Sequence, residues 1–308
     1  MARLFSTREV AAYLGIHEKK VYHLITEKNL PATKVTGKWL FPEHLVRHWV
    51  EQNTINYPEE SSFLQQTPSL LIIAGSNDML LDRCLGLFME LYPEYTAVFG
   101  NLGSMGGIRI LKQGLCHLAT AHLVDDDDKE YNFAFAAREM TSMPAVVNFC
   151  FREQGLVVAR DNPRNITRLE DLAGRGVTIV NRSISTGTRL WFDRRLRQKG
   201  LDPAAIAGYD REMQRHLDVG LAVLSGRADA GPAIRAVADT LDLSFIPFHW
   251  ECFDLLINKD MFFARNVQSF LSLLADRRFK ELAAEIAGYD VSKSGQMVYP
   301  GPVSKDFL

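Results

Sequence analysis

Apolar residues recur along this chain with two different periods. Over the first fifty residues the period is helical. Val10, Ala11 and Leu14 mark one short helix. Val21, Leu24 and Ile25 mark a second, from about His17 to Glu27, and Leu45, Val46, Trp49 and Val50 a third, opened by Pro42 and Glu43. Ser6-Thr7-Arg8-Glu9 has the spacing of a capping box, and Gly15 supplies the left-handed residue that stops the first helix. Ala32–Val35 and Trp39–Phe41 flank Thr36-Gly37-Lys38 and predict a two-stranded ribbon. Residues 54–68, rich in turn formers, carry no period and read as a linker. From Ser69 the pattern changes. Short continuous apolar runs at Leu70–Ala74, Tyr95–Phe99, Leu118–Ala121 and Gly176–Val180 alternate with helical stretches at Met79–Phe88, Ile108–Gln113, Thr186–Leu196 and Val219–Leu224. This alternation predicts an α/β domain with mostly parallel strands.

Three of the predicted strand-to-helix turns carry Ser, Thr and Gly, around Ser76-Asn77, Ser104-Met105 and Thr186-Gly187-Thr188. Helix N-termini offer unpaired N–H groups, glycine lets a backbone approach a ligand, and hydroxyls add neutral donors. In an open parallel sheet such turns gather at the carboxyl ends of the strands. Together they predict a site for a small anion. Arg189 either faces a carboxylate ligand or stabilises its own helix surface.

Charge separates the two regions. Residues 1–53 hold eight Lys and Arg against five Asp and Glu, whereas the remainder holds 27 against 32. A basic front end suits phosphate contact. Across the predicted second helix, His17, Lys19, Lys20, Tyr22 and His23 form a face able to meet phosphates or base edges, and Lys34 and Lys38 lie near the ribbon tip. The absence of a long apolar run or a secretory h-region predicts a cytoplasmic protein with no membrane contact. Cys84, Cys116, Cys150 and Cys252 are far apart and read as buried free thiols.

The stretch "STREVAAYLGIHEKKVYHLITEKNLPATKVTGKWLFPEHLVRHWV" resembles the excisionase-type winged helix-turn-helix domain related to MerR proteins. That resemblance implies that the second helix enters the major groove and the wing touches the backbone. "AGSNDMLLD", "GSMGGIRIL", "FREQGLVVARDNP", "LEDLAGRGVTIVNRSISTGTR" and "HLDVGLAVLSGRADAG" are similar to the type 2 periplasmic-binding-protein fold, in its molybdate- and tungstate-binding branch. The resemblance implies two lobes closing on a ligand, with lobe one at about 69–150 plus 246–308 and lobe two at about 151–245. It also implies crossings near Arg152-Glu153-Gln154 and Pro247-Phe248, and an anion held by Ser76 and Ser104 from one lobe and Thr186, Gly187 and Thr188 from the other, with backbone donors added by the Ala230-Gly231 loop.

Other features point nowhere sharper. Asp125–Asp128 lacks the glycine-punctuated spacing of a calcium loop, and His44 and His48 lack further zinc ligands. No P-loop, nucleophile elbow or dinucleotide fingerprint is present, so neither catalysis nor a cofactor is expected. A serine enzyme would need His122 or His216 beside Ser76 or Ser104, and nothing in the sequence pairs them. The expectation is a homodimeric, one-component regulator that binds a double-stranded operator and senses an oxyanion, tungstate or molybdate first. The alternatives are an oxyanion storage protein and a non-catalytic domain tied to molybdenum-cofactor metabolism.

Overall fold

The computed structural model describes residues 3–34, 37–55, 64, 67–125, 131–173 and 176–300. The chain divides into two compact units, Met1–Ser62 and Phe63–Leu308.

The first unit contains β1 (Leu4–Ser6), α1 (Thr7–Leu14), α2 (Glu18–Glu27), β2 (Leu40–Pro42) and α3 (Glu43–Gln52). The capping box forms: the Glu9 amide donates to Ser6 Oγ at 3.3 Å, and the Ser6 amide donates to Glu9 Oε2 at 2.8 Å. Gly15 stops α1 at φ 65°. Thr33 bridges Leu40, which closes the ribbon across Gly37, while Val35 and Thr36 lie outside the described residues. Leu40–Pro42 also pairs antiparallel with β1, a partner the periodicity did not reveal. Phe5, Val10, Ala11, Val21, Leu30, Phe41 and Val46 form the core, with Trp49 packed against it and donating from Nε1 to the Lys28 carbonyl at 2.8 Å. Leu45, expected in that core, is exposed; Val46 takes the inward position of α3.

The second unit runs β3 (Leu70–Gly75), α4 (Met79–Leu91), β4 (Thr96–Asn101), α5 (Gly103–Lys112), β5 (Leu118–Ala121), α6 (Phe133–Glu139), β6 (Ala145–Val158), β7 (Asn181–Arg182), α7 (Gly187–Gln198), β8 (Glu212–Met213), α8 (His216–Leu224), β9 (Ala230–Ile234), α9 (Arg235–Thr240), β10 (Ser244–Ile257), α10 (Lys259–Phe262), α11 (Arg265–Leu273), α12 (Arg277–Ala284) and β11 (Tyr289–Asp290). It is a mixed α/β fold. Strand β3 pairs parallel with β4 and β5. Further along the chain, Thr178 and Ile179 bridge parallel to Ala207 and Ala230, and β7 runs parallel to β8. Antiparallel pairs enter with β6 and β10, which lie side by side and join the two parallel cores. Near one end β10 pairs with β5 through Asp254–Ile257, and near the other β6 pairs with β9 through Gln154–Val158. The continuous burial of β6 explains why its sequence shows no alternation.

Side-chain alternation on β3 builds two layers. Leu71 and Ile73 pack with Leu81, Cys84 and Phe88 of α4, whereas Ala74 packs with Ile108 and Leu111 of α5. The other parallel core gathers Leu156, Ile179, Trp191, Phe192, Leu196 and Ile206. The four cysteines are free thiols, and Cys252 is the only one of them not fully buried. Among the described residues no helix is long and apolar enough to cross a membrane.

Candidate functional site

The three hydroxyl-bearing turns converge, and they do so on His122, one residue past β5. Ser76 Oγ lies 2.9 Å from His122 Nε2, and the His122 amide donates to Ser104 Oγ at 3.3 Å. From the opposite lobe, Gly187 sits so close that a Cβ there would lie 2.7 Å from both His122 Nδ1 and the His122 carbonyl. A Cβ on Gly103 would lie 2.8 Å from the Ser185 carbonyl. Both distances are shorter than any ordinary Cβ contact, so the lobes touch backbone to backbone here. Ser76, Ser104, Thr186, Gly187 and Thr188 are all buried.

Charged side chains occupy the base of the cleft, which the sequence reading had furnished with neutral donors. Glu251 on β10 accepts from Arg152 Nε at 2.5 Å and Gln154 Nε2 at 2.8 Å through Oε1, and lies 2.9 Å from His122 Nδ1 through Oε2. Gln154 Nε2 also reaches Thr188 Oγ1 at 3.1 Å. Arg152 Nη1 donates to Asp78 Oδ2 at 2.8 Å, and its guanidinium lies 4.3 Å from the Phe253 ring centroid. Burial opposes the charge on Glu251, but the hydrogen bond from His122 and the Arg152 guanidinium outweigh it and hold the carboxyl well below its usual range. Burial also pushes His122 down against the upward pull of Glu251, with Arg152 and Arg182 adding to the fall. His122 is therefore neutral, and the ionised Glu251 fixes its tautomer with the proton on Nδ1. Ser, His and Glu are thus strung together in the order used by acyl-transfer enzymes. Two nearby amides are already committed, Ser76 N–H to the Thr120 carbonyl at 3.1 Å and Leu81 N–H to Asp78 Oδ1 at 3.0 Å.

A second cation lies on the far side. Arg182, at the end of β7, is 1% exposed and forms no ion pair among the described residues. Its Nη1 donates to the Met213 carbonyl at 3.1 Å, and its Nε has no hydrogen-bond partner. Burial pulls its pKa down to about 9, with Arg152 contributing in the same direction. His216, the first residue of α8, is fully buried with both ring nitrogens unpartnered. Burial holds its pKa well below the usual value, and Arg182, Arg152 and His122 lower it further. Arg152 Nη2 and Asn77 Oδ1 are also buried without partners. Buried, unsatisfied polar atoms are rare and costly, and four residues carry them around one cleft.

The remaining sequence-derived candidates fall elsewhere. Arg189 is committed to its own lobe: Nε donates to Asp193 at 2.8 Å, Nη1 donates to the Arg182 carbonyl at 3.1 Å, and the guanidinium lies 4.3 Å from the Tyr209 ring centroid. The Thr186 hydroxyl caps α7 and donates to the Ser183 carbonyl at 2.8 Å. The half-buried Met105 packs against the α5 side of the lobe-one core. Ala230 and Gly231 do not form a loop. They lie inside β9, between β6 and the segment at Ile179 and Val180, because their small side chains allow close packing there. Asp126, Asp127 and Asp128 lie outside the described residues.

In the first unit the predicted face of α2 is open. His17, Lys19, Lys20, Tyr22 and His23 are exposed, as are Lys34 and Lys38 beside the ribbon turn. His23 meets Glu27 at 3.0 Å, and Lys34 Nζ lies 5.5 Å from the Trp39 ring centroid.

Comparison with known proteins decides the lineage. Residues 85–275 match the family described as the PBP superfamily domain. This chain belongs to the PBP superfamily. Residues 4–54 match a helix-turn-helix domain. The chain is 26% identical over 304 residues to the uncharacterized protein YvgK of Bacillus subtilis (strain 168), covering 96% of this chain and 97% of that one. Among solved structures, a putative phosphate ABC transporter substrate-binding protein from Clostridium perfringens, with bound phosphate, shares a TM-score of 0.54 at 12% identity, covering 75% of this chain and 99% of that one. The tungstate ABC transporter structure from Geobacter sulfurreducens gives 0.52 at 13%, covering 70% and 98%. The regulatory domain of CcmR from Synechocystis PCC6803, in complex with 2-PG, gives 0.50 at 14%, covering 67% and 95%. These likenesses support the fold: a helix-turn-helix unit followed by a PBP-type ligand-binding domain.

Proposed function

We propose that this PBP superfamily chain is a one-component, cytoplasmic transcription regulator whose second unit senses a small oxyanion and whose first unit binds operator DNA as a homodimer. The observation that carries the sensor half is the meeting of Ser76, Ser104 and Gly187 at His122, beside a buried Arg182 without a carboxylate partner among the described residues. A buried guanidinium in that state is stabilised by an anionic guest. The helix-turn-helix match and the exposed cationic face of α2 support the DNA half.

Tungstate and molybdate head the effector candidates on sequence resemblance, and the neighbours bound to phosphate and 2-PG widen the class to phosphoryl anions. An effector changes DNA binding only through a difference in affinity between the two arrangements of the sensor. The test is a gel shift at fixed salt on fragments of the adjoining promoter, with and without each anion that raises the melting temperature. Anion-dependent retardation is expected. An anion that stabilises the chain while no fragment binds points instead to the storage reading.

A further inference from the structure

We infer that the effector carries its own hydroxyl proton: it is an anion bearing an O–H group, such as a hydrogenphosphate, a monoprotonated phosphoryl group or a hydroxy-carboxylate, and not a fully deprotonated tetrahedral oxyanion. This deepens the proposed function and rests on its reading of the interlobe cleft as an anion site.

The argument is an inventory of protons. Glu251 Oε1 already accepts from Arg152 and Gln154, and Oε2 faces His122 Nδ1. A carboxylate in that setting only accepts, so His122 Nδ1 must donate. With His122 kept neutral by its burial, Nε2 is then a bare lone pair. Ser76 Oγ, 2.9 Å away, can satisfy it only by donating its hydroxyl hydrogen. The serine that the sequence offered as a donor to an anion is turned round, and what it presents to a guest is a lone pair. Ser104 is oriented the other way: its oxygen accepts from the His122 amide, so its hydrogen is free to donate.

The opposite lobe adds a group able to accept as well as donate. His216 is fully buried, with neither ring nitrogen partnered. A neutral imidazole carries one N–H and one lone pair in either tautomer. Asn77, 8% exposed, adds an unpartnered Oδ1. Against these acceptors stand three donors, Ser104 Oγ, Arg182 Nε and Arg152 Nη2. The donors call for negative charge, and the acceptors call for a proton on the same guest. Sulfate, molybdate and tungstate at neutral pH supply only oxygen lone pairs, which would face the lone pair of Ser76 and leave that of His216 unmatched. A site built to pair a substrate hydroxyl discriminates strongly against analogues that lack it.

The test is isothermal titration of the full-length protein at pH 7.5 with matched probes. Inorganic phosphate is set against sulfate, molybdate and tungstate, and glycolate against acetate. The expected result is binding of phosphate or glycolate at least about tenfold tighter than its partner without the hydroxyl. Ser76→Ala should narrow that ratio, provided its melting temperature shows that it folds. The wild-type ratio stands as a test even if it does not. Equal or tighter binding of sulfate, molybdate or tungstate overturns the inference and leaves the anion sensor intact. No heat and no thermal shift with any probe overturns both.

Discussion

The polar residues of the two units are deployed in opposite ways. On α2 they stand exposed, with neighbours one turn away. In the PBP domain they are buried and linked to partners far along the chain. His122, for example, joins Ser76 and Glu251, which lie 46 and 129 residues from it. An exposed cation acts additively and is screened by salt. A buried one acts through its partners, so its removal is felt wherever they are. One region can therefore be weakened by degrees, while the other fails as a unit.

The sharpest break of this contrast separates the two buried arginines. Arg152→Met leaves Glu251 and Asp78 without their cation and should cost about 3–5 kcal/mol in urea unfolding. Arg182→Met removes a cation with no carboxylate partner among the described residues. It should leave unfolding unchanged or raise stability, while abolishing the thermal shift produced by any anion. Equal losses from the two substitutions would mean that Arg182 is structural.

Acid should act next, and on the buried region. Burial holds His117 at about 4 and keeps His122 and His216 below their ordinary value as well. The unfolded chain binds protons on these residues below pH 6.5 while the folded chain does not, so stability falls as pH drops from 6.5 towards 4. Asp254 works the other way. Burial raises it to about 7, so the folded chain holds that proton and gains stability as pH falls from 7 towards 4. Asp82, also raised by burial, acts in the same direction as Asp254; three histidines against these two carboxyls predict a net fall in melting temperature, and Asp254→Asn should steepen it.

In the exposed region the effects are smaller. Lys19→Ala with Lys20→Ala should weaken operator binding by roughly tenfold at low salt and flatten its salt dependence. Unfolding should change by no more than about 0.5 kcal/mol, and the anion-induced shift not at all. Ser6→Ala, which removes the α1 cap, should cost about 1 kcal/mol of the first unit's stability, read from amide exchange in that unit.

The same contrast governs what could be read from the sequence. The capping box, Gly15 and the inward face of α2 are local signals, and each appears where the periodicity put it. Leu45 went astray because two apolar residues in succession compete for one inward position on a helix. Within the cleft, the turns at Ser76, Ser104 and Thr186 were legible as Ser, Thr and Gly after an apolar run. Their chemistry was not. Asp78 caps α4, and Arg152, Glu251 and Arg182 lie in or beside strands with no motif of their own. No spacing rule links residue 152 to 251, because only the antiparallel register of β6 and β10 sets them opposite one another. That register, together with the burial of nearly all of β6, was the signal that pattern reading lacked.

The missing side chain at Gly187 has a consequence of its own. Here helix α7 rests its first turn directly on His122, and a single methyl group would have nowhere to go. Gly187→Ala should therefore act as a wedge, prising the jaws apart and pushing His122 away from its Glu251 partner. Such a protein would be deaf to its signal, its output frozen at whichever setting the gaping form dictates.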